Sequence, residues 1–324
     1  MSSDFDRYTI LPGYSTLSSR AEVDLSTRIT ADFRSNLPFM ASPMSTVTKA
    51  RMAIAIAKVG GIGAIHRYLK PIDQHEEVRL VKEAGYPVGA AIGATKNEER
   101  VDALMKEPRP DFLIGDVASG DMESCFELLE YIRKTYGDEI QVISGNIATA
   151  RSAEHYYTAG VDGFRVGIGA GSVCITRQVA GVGRNQLIAI KEIHDAFPEI
   201  PITSCGGVRY SGDIVKALAF GAESVVIGRL LAACDESPAN RLMSGQVEYF
   251  GMASYFAEKQ RAELTGEDPS AIHHLVAPEG KSDMLEPAGP VEKVIASLAG
   301  GVKAGLAYLG ARTIPEFQKV ARWE

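Results

Sequence analysis

Short apolar runs recur along the chain at spacings of about 20 to 40 residues, with helical patterns between them. In order they are Phe39–Met44, Gly61–His66, Val88–Gly93, Phe112–Val117, Val142–Ile147, Gly163–Gly169, Ile202–Gly207 and Ser224–Leu230. Strands covered by helices on both faces read as continuous apolar segments, so these runs predict parallel strands. The stretches between them, such as Thr48–Val59, Asp73–Ala84, Met122–Tyr136 and Tyr210–Phe220, carry a helical period with charged faces. Alternation of eight such strands with helices predicts an α/β fold of the (β/α)8 TIM-barrel class, with a doubly wound open sheet as the alternative. The 324 residues exceed the roughly 250 of a typical barrel and leave room for added loops.

Nearly every run ends in small or polar residues: Ser42-Pro43-Met44, His66-Arg67, Gly93-Ala94-Thr95, Asp116-Val117-Ala118-Ser119, Gly145-Asn146, Gly169-Ala170-Gly171-Ser172, Cys205-Gly206-Gly207 and Gly228-Arg229. In a barrel the carboxyl ends of the strands form the active-site face, so groups capable of chemistry collect at one end. Beyond the eighth run, residues 235–290 are rich in Glu, Ser, Gly and Pro and poorly periodic, which predicts a flap over that face. Val291–Leu309 reads as the final helix, ending near Gly310. No repeat or linker divides the chain, so residues 1–324 read as a single domain.

Composition narrows the partners. A formal charge of −7 argues against a nucleic-acid binder but not against a small anion, which backbone amides can hold. The four cysteines, Cys125, Cys174, Cys205 and Cys234, form no CxxC pair, which excludes the common zinc patterns and gives no disulfide framework. The start Met1-Ser2-Ser3-Asp4 resembles no export signal, and no run approaches the roughly 20 apolar residues of a membrane span. These features predict a cytoplasmic protein without a membrane partner, in which a cysteine stays free to react.

Two glycine turns, Gly206-Gly207 and Gly228-Arg229, follow the seventh and eighth runs, where barrels recurrently bind phosphate. Glycine also serves tight turns for purely conformational reasons. The stretch Gly167-Ile168-Gly169-Ala170-Gly171-Ser172-Val173-Cys174-Ile175-Thr176-Arg177 sets a cysteine on a glycine loop at the catalytic end. An arbitrary lone cysteine is a small packing residue. One so placed reads as a nucleophile, because even an unperturbed thiol is a few per cent thiolate near neutral pH.

The stretch GIGAGSVCITRQVAGVGRNQ resembles the cysteine loop of the IMP dehydrogenase / GMP reductase family. Similar stretches run along nearly the whole chain: STLSSRAEVDL, ASPMSTVT, GIGAIHRYLKPIDQHEEV, GDVASG, SGNIAT, GGVRYSGDIVKALAFGAESVVIGRLLA, DESP, YFGMAS, PEGK and GGVKAGLAYLGA. The resemblance implies a (β/α)8 barrel, commonly a homotetramer, acting on a purine nucleotide monophosphate. The loop cysteine forms an adduct at purine C2, and a nicotinamide cofactor exchanges hydride with that carbon. It implies Cys174 as nucleophile and Thr176 as its catalytic neighbour. Ser42, Ser172, Gly207, Gly228, Arg229 and Tyr249 fall where the 5′-phosphate is held, and Asn146, Met252 and Ala253 near the base. Met44, Cys205, Gly206 and Gly251 complete the implied substrate site. Arg67, Asp116 and Ser119 fall on the nicotinamide side. The backbone carbonyls of Gly169, Gly171 and Cys174 match a monovalent-cation loop of the kind that takes potassium.

The two activities of the family differ in how the adduct is resolved. Dehydrogenases hydrolyse it with the help of a flap Arg-Tyr pair; reductases expel ammonia from GMP and deliver hydride from NADPH. No Arg-Tyr pair occurs between Asp235 and Pro290, and Glu279-Gly280-Lys281 resembles the reductase pattern, in which the glutamate and the threonine relay protons. Asp116-Val117-Ala118-Ser119-Gly120 is reductase-like, and no regulatory cystathionine-synthase-type (CBS) insert follows the second strand. Gly89–Gly93 and Val276–Gly280 are closer to dehydrogenases, so IMP dehydrogenase with NAD (or NADH in reverse) is the alternative. A regulator that binds nucleotides without turnover is a third reading, against which Cys174, Thr176 and Glu279 stand together. Three positions depart from the pattern: Ser45 and Cys205 stand where aspartates are common, and Arg67 where a lysine is. The family aspartate before Gly-Gly accepts from both ribose hydroxyls, and a neutral thiol is a poor acceptor. Cys205 therefore predicts a deoxy or otherwise modified purine nucleotide as a further alternative.

Overall fold

The structure, a computed structural model, describes residues 3–94, 97–266, 268 and 277–324. Each predicted run contains a strand: β1 Phe39–Ala41, β2 Ile62–Ile65, β3 Gly89–Ile92, β4 Phe112–Gly115, β5 Gln141–Ile147, β6 Gly163–Val166, β7 Ile202–Cys205 and β8 Ser224–Ile227. They pair in parallel in chain order, and β8 closes on β1 with Val225, Val226 and Ile227 opposite Phe39, Met40 and Ala41. The chain is a closed (β/α)8 barrel, and the open-sheet alternative falls away. Most strands stop short of their apolar runs because the small and polar residues at the carboxyl ends leave the barrel as loops.

Alternation along the strands explains why the runs are apolar throughout. Met40, Ile62, Ala64, Ala91, Phe112, Ile114, Ile143 and Val226 fill the barrel. Their neighbours, such as Phe39, Ala41, Ile65, Leu113 and Phe164, join the larger core beneath the helices. The helices are set by local signals. Pro71 opens Pro71–Glu83 at a position where its missing N–H is no loss. The Asn185 side chain caps Gln186–Ala196 by accepting from Leu187 N and Ile188 N at 3.1 and 3.2 Å.

A hairpin of Thr27–Arg28 with Arg34–Ser35 closes the amino-terminal mouth of the barrel. Its turn adds Ile29 and Phe33 to the interior cluster, and Ala31 N donates to Asp162 O just before β6. Only the carboxyl-end mouth is left for a site.

The segment 235–290 is more regular than its sequence suggests. Val247–Phe250 pairs antiparallel with Ser282–Leu285, and between them lies the helix Tyr255–Thr265, capped by Ser254. Residues 267 and 269–276 of this flap, including Val276, lie outside the described residues, as does Thr95 after β3. The helix Val291–Ala307 is not the last: Ile314–Val320 follows it, capped by Thr313. Seven residues with a proline in the first turn show too little period to be read. No helix among the described residues is long and apolar enough to cross a membrane.

Candidate active site

Every barrel strand except β3 sends residues from its carboxyl end into one cavity of ≈ 320 Å³. One wall is the cysteine loop. Cys174 N donates to Gly171 O at 3.1 Å, and Cys174 Sγ lies 3.1 Å from Thr176 Oγ1, at the start of the short helix Thr176–Val179. The flap returns along this loop as an antiparallel bridge, with Cys174 opposite Gly280, Ile175 N donating to Glu279 O at 2.7 Å and Lys281 N to Val173 O at 2.8 Å. Glu279 is thereby fixed in the cavity wall beside Cys174 and Thr176. The approach needs glycine at 280, since a Cβ there would lie 2.9 Å from Ser254 N. The amino-terminal segment braces the loop from outside, where Asp4 pairs with Arg177 at 2.9 and 2.6 Å. That brace carries no sequence signal.

A second region is the candidate phosphate cradle. Gly206 and Gly207 have φ of +103° and +87°, a left-handed turn that requires glycine whatever it binds. A Cβ on Gly206 would lie 2.9 Å from Gly171 N, so the turn after β7 touches the cysteine loop. Tyr249 is buried, its hydroxyl 3.7 Å from Met44 Sδ and close against Gly228. Burial pushes its phenol up to about 12, so it remains a donor. Arg229 is ion-paired with Asp283 of the flap hairpin.

The third region was not legible as a site. Arg165, on β6 between the outward-facing Phe164 and Val166, reaches the cavity although only 5% exposed. Its Nη1 donates to Asp116 Oδ1 at 2.8 Å and Gly115 O at 2.9 Å, and its Nε donates to Cys205 Sγ at 3.3 Å. Burial alone would lower its pKa, but its interactions with Cys205 and Asp116 outweigh burial and hold it above the ordinary value. Arg67 Nε donates to Asp116 O at 2.8 Å and lies 3.5 Å from Asp116 Oδ2. Asn146 Nδ2 donates to Gly167 O at 2.7 Å, while its Oδ1 is buried without a partner among the described residues.

The cavity brings together all the expected residues except Ser119. That serine is exposed, because Gly120 N donates to Asn146 O and turns the segment over β5; Ala118 lines the wall instead. Besides Arg165, sequence reasoning missed Tyr68 and Glu258. Tyr68 Oη donates to Met252 O at 2.9 Å, and Ser45 Oγ to Gln260 Oε1 at 2.9 Å, so both tie the flap to the barrel. The signal for Arg165 was a charge inside an otherwise apolar run. No group of three or more His, Cys, Asp or Glu among the described residues could hold a metal ion.

Comparison with known proteins follows this geometry. The family model described as "IMP dehydrogenase / GMP reductase domain" matches residues 2–324. The inosine-5′-monophosphate dehydrogenase of Borreliella burgdorferi is 33% identical over 375 aligned positions, covering 97% of this chain and 91% of that protein. The GMP reductase of Leishmania major is 34% identical over 242 positions, covering 73% of this chain and 49% of that protein. Among solved structures, a cysteine-to-alanine variant of GMP reductase from Trypanosoma brucei, in complex with guanosine 5′-monophosphate, matches with a TM-score of 0.91 and 24% identity. That match covers 100% of this chain and 95% of the other and supports the barrel.

Proposed function

The chain belongs to the IMP dehydrogenase / GMP reductase family of NAD(P)-dependent oxidoreductases, and from that premise we propose that it is a GMP reductase. The reaction is GMP + NADPH + H⁺ to IMP + ammonia + NADP⁺. The observation that carries this reading is the bridge of Cys174 to Gly280, which sets Glu279 beside Cys174 and Thr176.

In this reading Cys174 attacks purine C2 as a thiolate, and the exocyclic amine departs as ammonia. Glu279, acting with Thr176, protonates that amine, and general-acid help of this kind is typically worth ~10²–10⁴-fold. Arg67, Asp116 and Ala118 line the same cavity as Cys174, so a flat ring held there meets a purine on the cysteine. A nicotinamide cofactor held by these residues would supply the hydride that C2 requires. Cys174 then leaves with the electron pair of the C–S bond. Asn146 Oδ1, an acceptor without a donor, faces the base in this reading, and Tyr249, Gly207 and Gly228 cradle the phosphate. The carbonyls of Gly169, Gly171 and Cys174 would hold a monovalent cation such as potassium; Gly171 O already accepts from Cys174 N but keeps a second lone pair. The same reading takes residues 1–324 as one catalytic unit without CBS domains, working as a cytoplasmic homotetramer.

The test is NADPH consumption with GMP set beside NAD reduction with IMP. GMP-dependent NADPH oxidation with release of ammonia is the expected result. NAD reduction on IMP alone would make the chain a dehydrogenase, the reading favoured by relatives such as the Borreliella protein. Neither reaction would leave a nucleotide-binding regulator.

A further inference from the structure

Cys205 stands where β7 meets the Gly206-Gly207 turn, and that turn lies against the cysteine loop. A nucleoside monophosphate joins base to phosphate through its sugar. With its base on Cys174 and its phosphate at Gly207, Gly228 and Tyr249, its sugar passes Cys205.

Cys205 Sγ accepts from Arg165 Nε at 3.3 Å, and Arg165 is itself held by Asp116 Oδ1 at 2.8 Å and Gly115 O at 2.9 Å. The sulfur therefore lines the cavity as a single acceptor atom that already has a donor.

We propose that Cys205, its sulfur engaged by Arg165, reads the sugar and lets this enzyme accept purine 2′-deoxyribonucleotides alongside ribonucleotides. The proposal rests on the reductase reading for the placement of the purine over Cys174. A carboxylate in this place would offer an oxygen to each ribose hydroxyl. The cysteine offers one atom, a weak acceptor a bond closer to the backbone and already engaged by Arg165 Nε. Losing the 2′-hydroxyl therefore forfeits little.

The experiment is calorimetric binding of GMP and dGMP to the wild type and to Cys205→Asp. The wild type should bind the two nucleotides within roughly 10-fold of each other. Cys205→Asp should shift the ratio toward GMP by roughly 10- to 100-fold, the worth of one hydrogen bond to a charged group. A wild-type preference for GMP beyond about 10-fold, binding of neither nucleotide, or a ratio unchanged in Cys205→Asp would overturn the proposal. Calorimetry needs no turnover, so tight binding of both nucleotides without NADPH oxidation supports the sugar reading and sinks the reductase reading instead.

Discussion

At the Cys174 wall, the proposed nucleophile, its neighbouring hydroxyl and the carboxylate beside them come from two stretches of chain paired edge to edge. At the Cys205 wall, Asp116, Arg165 and Cys205 arrive from three strands, 49 and 40 residues apart in sequence. In the first wall each backbone hydrogen bond fixes the next residue, so identity and position travel together in one motif. In the second, nothing local ties the residues, and only barrel closure makes them neighbours. The partner of each residue there comes from another strand, as Arg165 meets Cys205. A motif-level reading therefore locates the residues of the first wall and misses part of the second.

The largest effect that would break this contrast lies on the first wall. Glu279→Gln should lower kcat by ~10²–10⁴-fold while nucleotide affinity stays within a few-fold, read by steady-state kinetics beside calorimetry. An equal loss of affinity would make Glu279 a binding residue and blur the division of labour.

On the second wall the effect should fall on stability. Arg165→Met leaves Asp116 buried with Arg67 alone, at 3.5 Å. Removing one partner of a buried ion pair costs roughly 3–5 kcal/mol, and the remaining arginine puts the loss near about 3 kcal/mol. Urea unfolding measures it; a loss under about 1 kcal/mol, the scale of an exposed pair, would show that the cluster is not a structural unit.

The smallest effect separates the walls from the barrel that carries them. His66, at the end of β2, is buried, and burial, with the charges of Lys49 and Arg100 adding to it, drives its pKa down to about 3. The unfolded chain, titrating near 6.5, takes up the proton first as pH falls. Stability from this group is therefore complete above about pH 6.5 and is lost as pH drops toward about 3, by at most ~1.4 kcal/mol per pH unit. Unfolding at pH 7, 6 and 5 should show this slope, flattened in His66→Gln.

The barrel was legible because eight apolar runs and their polar ends follow from two-sided burial of parallel strands. Cys174, Thr176 and Glu279 were legible through contiguous motifs. Three things were not. The helix Ile314–Val320 is too short to show a period. The outward turn of Ser119 depends on Gly120 bonding to Asn146, two strands' loops brought together by the fold. Arg165 looked like a lone charge in a strand until inward alternation and closure set it against Asp116 and Cys205.

The central claim is that Cys174, and not Cys205, attacks the purine ring. A 6-chloropurine nucleotide, which loses chloride to an attacking thiolate, tests it by intact mass and peptide mapping. The account predicts one adduct per chain, on the Cys174 peptide and absent from Cys174→Ala. No adduct, or an adduct on the Cys205 peptide, would contradict it.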